Sequence, residues 1–253
     1  MKILPVSAFF DNYIWLIIDE NKRQVLCVDP GEAEPVLHFL KNEELSLSAI
    51  LLTHHHNDHI GGAAELLKTN PNLTIYGPRD SRISEINHIL DDGDLLEIGS
   101  CSFQIISTPG HTSTHISYYE SERGWLFCGD TLFSAGCGRV FDGTIEELHE
   151  SLQKLKNLPD ATEVFCAHEY TLKNLRFAAS VEPENLTIRN YAQRLLATDN
   201  LCSLPSSIAV EKEINPFFRT QIAAVQAFAK FKGAKDDDSL SVFKKIRAAK
   251  DYF

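Results

Sequence analysis

Apolar residues come in short alternating or continuous blocks through the first two thirds of the chain and recur every three or four residues in the last third. The sequence therefore predicts strands first and helices last. Residues 1–29 predict three strands, over 3–9, 13–18 and 24–28, with Asp11-Asn12 and Glu20-Asn21 at the turns of an antiparallel meander. Asp29-Pro30-Gly31 ends the third strand, and Val36, Leu37, Phe39 and Leu40 place a crossover helix over 32–44. A buried strand at 49–52, a short helix at 63–68 and a strand at 73–76 follow, whereas 79–93 lacks a period and reads as loop or short helix. Further strands are predicted at 94–98, 101–107, 116–119, 125–128 and 164–167. Helical spacing then takes over at 172–179, 186–196, 222–231 and 242–249, punctuated by Pro183, Pro205 and Pro216, with Ser239 placed to cap the last helix. The change of pattern divides the chain into residues 1–170, mixed α and β, and 171–253, helical.

Where the strands stop, unusual chemistry begins. The run at 49–52 leads into T-H-H-H-N-D-H-I-G-G, which crowds His54, His55, His56, Asp58 and His59 together. Imidazole and carboxylate suit zinc, iron or manganese. One ion takes about four ligands, and a catalytic ion leaves a position for water. The stretch therefore holds ligands enough for two ions if others arrive from elsewhere. The strand at 101–107 ends in Thr108-Pro109-Gly110-His111, that at 125–128 in Gly129-Asp130, and that at 164–167 in His168-Glu169-Tyr170. Singly, His111, Asp130 and His168 would be ordinary polar residues. Their shared position at strand ends predicts one sheet edge whose loops converge on a metal site, with Asp130 as candidate bridge. His38, His88 and His149 lack that setting and read as surface or packing residues; His55 is expected to point away from the site, and His115 to be structural.

The 253 residues are 43% hydrophobic and 23% charged, an ordinary globular composition. A net charge of -11 and a pI near 5.3 argue against nucleic-acid or anionic-membrane partners, which need positive charge where they dock. No apolar run approaches the roughly 18 residues of a membrane span, and residues 1–5 begin a strand rather than a signal peptide, so a cytoplasmic location is expected. Six cysteines without C-x-x-C spacing read as buried, reduced thiols. Against this acidic background the last predicted helix carries Lys244, Lys245, Arg247 and Lys250 with only Asp251, and Arg247 and Lys250 share a face.

His54, His56, Asp58, His59, His111, Asp130 and His168 match, in order and spacing, the H-x-H-x-D-H…H…D…H signature of the metallo-β-lactamase superfamily, which the sequence resembles. Finer marks extend the resemblance along the whole chain to the hydroxyacylglutathione hydrolase, or glyoxalase II, family: G-C-G-R-V-F-D-G-T at 136–144, C-A-H-E-Y-T at 166–171, N-P-F-F-R at 215–219 and the terminal R-A-A-K-D. The resemblance implies an α+β fold, an αββα sandwich followed by a helical C-terminal domain. It implies one ion held by His54, His56 and His111 and another by Asp58, His59 and His168, with Asp130 shared and Asp58 also orienting the attacking water. The two divalent ions would be zinc, or iron or manganese in its place. Arg139, Tyr170, Arg247 and Lys250 match the positions that surround the glutathione moiety, while Phe141 stands where the family often has Tyr and Thr114 where Gly is common. The implied reaction is hydrolysis of S-D-lactoylglutathione to glutathione and D-lactate, the second step of methylglyoxal detoxification; the sequence leaves the oligomeric state open, with a monomer as the default expectation. A one-iron persulfide dioxygenase of the same fold competes with this reading, as do a metal-dependent phosphodiesterase, a true β-lactamase and a non-catalytic metal- or glutathione-binding protein. The full ligand set, the terminal R-x-x-K, the acidic balance and Asp130 rather than Cys favour the hydrolase.

Overall fold

A computed structural model describes residues 1–198 and 202–253. They pack as two compact units, Met1–Ser107 with Thr114–Gly129, and Thr108–Ser113 with Asp130–Phe253.

The first unit opens with the expected meander, β1 (Lys2–Ala8), β2 (Asn12–Asp19) and β3 (Gln24–Val28), all antiparallel. From β3 onward the sheet turns parallel through β4 (Ser46–Leu51), β5 (Thr74–Pro78) and β6 (His88–Leu90), six strands in chain order. Parallel neighbours need crossovers. Helix α1 (Ala33–Asn42) supplies the first, and α2 (Asn57–Ile60) with α3 (Ala63–Thr69) the second. Strand β6 corrects the loop-or-helix reading of 79–93: a three-residue strand in a polar stretch is too short to show a period, and it pairs His88 with Tyr76. Ile14, Leu16, Val25, Cys27 and Ile50 face one way and pack with Val36 and Leu40 of α1 and Leu66 of α3. Every residue of β2 from Asn12 to Ile18 is buried, so the strand is covered on both faces, as its unbroken apolar run requires.

A second sheet in this unit runs β7 (Leu95–Ile98), β8 (Cys101–Ser107), β9 (Ile116–Glu120) and β10 (Trp125–Gly129), antiparallel throughout. Phe103 meets Tyr118 and Phe127 edge-on inside it. The Tyr118 hydroxyl donates to the Leu52 carbonyl at 2.7 Å, which ties β9 to the chain leaving β4.

The second unit begins with a two-stranded hairpin, β11 (Leu132–Phe133) and β12 (Gly136–Cys137), and continues through α4 (Ile145–Lys156), β13 (Glu163–Cys166), α5 (Thr171–Val181) and α6 (Leu186–Leu196). Strand β14 (Ser206–Ser207) pairs with β13, and α7 (Ile208–Ile214), α8 (Ala223–Phe231) and α9 (Ser239–Asp251) complete it. Leu175, Ala178, Ile188 and Ile214 form a small apolar cluster among α5, α6 and α7. The cap of α9 is Asp238, not Ser239: its carboxylate accepts from the Leu240 and Ser241 amides, and the Ser239 hydroxyl meets His149 and Thr220 instead. An extended residue with an ionised acceptor suits the positive helix end better than a hydroxyl one position later. Among the described residues no helix is long and apolar enough to cross a membrane. Cys27, Cys101, Cys128, Cys137 and Cys166 are buried thiols, and Cys202 is a half-buried one.

Strand β10 ends at Gly129 with φ +45°, where a Cβ would stand 2.5 Å from Thr53 Oγ1 and 2.7 Å from His115 Nε2. Both the left-handed backbone and the close approach require glycine. Gly129→Ala is expected to cost about 2 kcal/mol of stability, read as a lowered urea midpoint; a midpoint equal to that of the unmodified chain would refute this account of the turn.

Candidate metal centre

In the first unit the chain leaves β4 buried and enters α2 with His56 in the extended N-cap position. His54 and His59 are buried, while His56 and Asp58 are half-buried. Asp29 organises them. Its carboxylate accepts from the Thr53 amide at 2.8 Å, the Thr53 hydroxyl at 2.7 Å and His59 Nδ1 at 3.0 Å. A carboxylate only accepts, so His59 carries its proton on Nδ1 and presents a bare Nε2. The Thr53 hydroxyl proton is committed to Asp29, so its oxygen accepts from His54 Nδ1 at 3.0 Å, and His54 likewise presents Nε2. One buried carboxylate thus sets both tautomers, the arrangement by which outer-shell acids orient ligating histidines.

The bare nitrogens converge. His54 Nε2 lies 3.1 Å from His56 Nδ1, and His59 Nε2 lies 3.6 Å from Asp58 Oδ2. Two ligands about 2.1 Å from one tetrahedral ion would stand roughly 3.4 Å apart, so each pair has the separation of ligand neighbours. Asp58 Oδ2 is fixed by Asn12 Nδ2 at 3.0 Å. His55 turns aside to Asp80, 3.5 Å away, and His115 is buried with its ring stacked on His54, both as expected.

In the second unit His111 Nδ1 donates to the Arg139 carbonyl at 2.7 Å, which again leaves Nε2 without a proton. That atom lies 3.4 Å from Asp130 Oδ2, while His168 Nε2 lies 3.4 Å from Asp130 Oδ1. A carboxylate with a different imidazole nitrogen beside each oxygen can span two cations. The donor set of both units, imidazole and carboxylate with buried supports, fits divalent transition metals. The His168 ring is stacked on Tyr170, with centroids 4.7 Å apart.

Of the cations expected around a substrate, Arg139 and Arg247 meet at one carboxylate, with Arg139 Nε 3.2 Å and Arg247 Nη2 3.0 Å from Asp251 Oδ1. Together with Lys244 they line an open groove of about 530 Å³. Lys250, one turn along α9 from Arg247, donates to Asn174 Oδ1. Phe141 is 62% exposed and sets its ring edge-on to His111, with no hydroxyl to offer. His38 is exposed beside Asn42, His88 is exposed on β6, and His149 packs against Phe243, so none of the three departs from its surface or packing reading.

Sequence inspection missed Asp29, Asn12, Asn174, Glu211 and Asn215. Asp29 was signalled only by its place before Pro30-Gly31, yet it sits at φ +51° between a strand end and a histidine loop. Asn215 belongs to the N-P-F-F-R motif, and its amide donates to the Phe133 and Gly136 carbonyls.

Comparison with known proteins now separates the readings. Residues 8–168 match the metallo-beta-lactamase superfamily and residues 169–253 match the hydroxyacylglutathione hydrolase C-terminus. The hydroxyacylglutathione hydrolase of Legionella pneumophila strain Corby is 56% identical over 253 residues, the whole of both chains, and that of Aliivibrio salmonicida is 47% identical over 255 residues, again covering both completely. Among solved structures, ETHE1 from Myxococcus xanthus superposes with a TM-score of 0.65 at 30% identity, covering 85% of this chain and 84% of its own. A metallo-beta-lactamase from Staphylococcus aureus, 18% identical with a TM-score of 0.64 over 97% of this chain and 72% of its own, shares the fold. The fold is α+β, of metallo-β-lactamase type with a helical C-terminal part, and superfamily membership together with the His and Asp clusters indicates a binuclear metal site. The chain belongs to the hydroxyacylglutathione hydrolase, or glyoxalase II, family of the metallo-β-lactamase superfamily.

Proposed function

We propose that the two half-sites act as one binuclear centre that hydrolyses S-D-lactoylglutathione to glutathione and D-lactate. His54, His56 and His111 would hold one ion, Asp58, His59 and His168 the other, with Asp130 shared. The observation that carries this reading is Asp130, whose two oxygens each face a different histidine. Zinc is the first choice of metal, with iron or manganese compatible with the same donors. Two bound cations would supply hydroxide near neutral pH and polarise the thioester carbonyl.

The protein's own part is positional. Asp58, clamped by Asn12, would direct the attacking water, and Asp130 would offer one oxygen to each ion. No side chain is needed to protonate the leaving group, because a thiol of pKa about 8.5 departs as thiolate. Arg139, Tyr170, Arg247 and Lys250 would surround the glutathione moiety and offset the repulsion that a chain of net charge -11 exerts on its carboxylates. This reading takes residues 1–170 as the metal-carrying domain and 171–253 as the substrate-binding one, in a cytoplasmic monomer with no nucleic-acid or membrane partner.

Purified protein containing about two metal ions per chain is expected to hydrolyse S-D-lactoylglutathione. His54→Ala should lower kcat by roughly a thousandfold or more, and Arg139→Ala should act chiefly through KM. Two bound metals without turnover would overturn the assignment and turn attention to oxygen uptake with glutathione persulfide.

Lys250 generates a second expectation. Burial, and after it the charge of Arg247, pull its ammonium down from 10.5 to about 7. A lysine whose folded-state pKa is depressed binds its proton less tightly than in the unfolded chain. The resulting destabilisation is fully present below pH 7 and is relieved as pH rises toward 10.5. Lys250→Met should therefore melt higher than the unmodified chain at pH 6.5, with the advantage shrinking by pH 9.5. Equal differences at both pH values would count against a buried charged lysine.

A further inference from the structure

Arg247 has been treated as a substrate contact, yet its guanidinium is engaged with the protein itself. It is 6% exposed and lies 5.4 Å over the Phe217 ring. Nη1 donates to the Cys137 carbonyl at 3.0 Å and the Gly138 carbonyl at 3.3 Å, and Nη2 donates to Asp251 at 3.0 Å. What it grips is the backbone that supports half of the metal centre. Arg139, the next residue, gives the carbonyl that accepts His111 Nδ1–H at 2.7 Å. The Gly138 amide donates to the Thr131 carbonyl at 3.2 Å, and the Phe141 amide to the His111 carbonyl at 3.0 Å. Gly138 lies so close to the site that a Cβ there would stand 2.0 Å from the Asp130 carbonyl oxygen and 3.1 Å from His111 Nδ1. Residues 138–141 are thus wrapped around His111 and Asp130.

The rest of the hairpin is held from other helices. Asn174 of α5 donates to the Ser134 carbonyl, while Asn215 donates to those of Phe133 and Gly136, and Glu211 of α7 accepts from the Ala135 amide. Arg247 of α9 takes the two carbonyls nearest Arg139. A planar guanidinium can bridge two carbonyls and a carboxylate at once, whereas an ammonium is a compact point charge that cannot present the same fork.

We propose that Arg247 is a positioning residue for the His111–Asp130 half of the metal centre, acting through the backbone of residues 137–139, so that the C-terminal helix tunes metal affinity whether or not substrate is present. The proposal rests on the reading of His111 and Asp130 as metal ligands. Without the clamp the 137–139 segment relaxes, the Arg139 carbonyl leaves His111 Nδ1, and the ring loses its fixed tautomer and direction. Losses of outer-shell partners of this kind lower metal affinity by about 10- to 100-fold.

The test uses full-length protein stripped of metal, titrated with Zn(II) against a chromophoric chelator and with Co(II) by visible absorption, always without substrate, with far-UV circular dichroism as a check on folding. Arg247→Ala and Arg247→Lys are both expected to bind at least one ion about tenfold or more weakly and to alter the Co(II) spectrum. Arg139→Ala removes a side chain but keeps the carbonyl, and should leave both readouts unchanged while raising KM. Where Arg247→Ala fails to fold, Arg247→Lys decides alone. Affinity and spectrum equal to those of the unmodified chain in a folded Arg247 variant, with KM raised, would overturn the proposal and leave Arg247 a substrate contact only. His111→Ala separates the premise: should it bind two ions as tightly as the unmodified chain, the ligand assignment falls, and the proposal with it.

Discussion

Everything in the centre depends on where three protons sit. An imidazole serves as a ligand only through a nitrogen that carries no proton, and in a buried site the other nitrogen must be hydrogen-bonded or its desolvation is uncompensated. Here each of three rings has its Nδ1–H held by an oxygen: His54 by Thr53, His59 by Asp29, and His111 by the Arg139 carbonyl. Two of these oxygens lead back to a single buried carboxylate, because the Thr53 hydroxyl in turn donates to Asp29. The ligand atoms are therefore oriented before any ion arrives. This explains why the histidines sit on short segments leaving rigid strands, whose other ends are fixed by apolar packing, rather than on long free loops.

The same logic governs the backbone acceptors of the second unit. The 133–138 segment runs buried beside Asp130, and a buried backbone must have its carbonyls and amides satisfied. Polar side chains from three helices do this. Asn215 takes the Phe133 and Gly136 carbonyls, Asn174 that of Ser134, Glu211 the Ala135 amide, and Arg247 the Cys137 and Gly138 carbonyls. Burial raises the Glu211 carboxyl above its usual range, and the hydrogen bonds from Ser206, Asn215 and the Ala135 amide oppose that rise. The C-terminal helices thus form the frame on which the hairpin after Asp130 hangs.

How much of this was readable from sequence follows from which residues are chemically distinctive. His54, His56, Asp58 and His59 announce themselves because rare ligand types crowd a strand end, and His111, Asp130 and His168 repeat that placement. The meander, the crossover helix and the helical last third also follow, since their periods are long enough to see. Asp29 did not, because a lone Asp before Pro-Gly is the ordinary signature of a turn. Only the structure reveals that it also accepts three hydrogen bonds. Helix α7 is seven residues between Pro205 and Pro216, and β6 is three, too few in each case for periodicity to separate element from loop. The cap of α9 was misplaced by one because Asp238 and Ser239 are both good caps, and only the backbone dihedrals, extended at Asp238, decide between them.

Charge completes the argument. A chain of net -11 must receive an anionic substrate at a site whose proposed ligands include Asp58 and Asp130. Long-range attraction cannot do this, so on the proposed reading it falls to short-range cations, of which a buried one counts for more than one on the surface. Arg139 is exposed, Arg247 is buried behind it, and the two share Asp251, so one carboxylate compensates two guanidinium groups. Lys250 adds a third cation one turn on, with Asn174 rather than an acid as its hydrogen-bond partner, and its lowered proton affinity reflects first its burial and then the charge of Arg247. If these cations form the glutathione subsite as proposed, a substrate carboxylate would add counter-charge where burial makes each ion pair count for more.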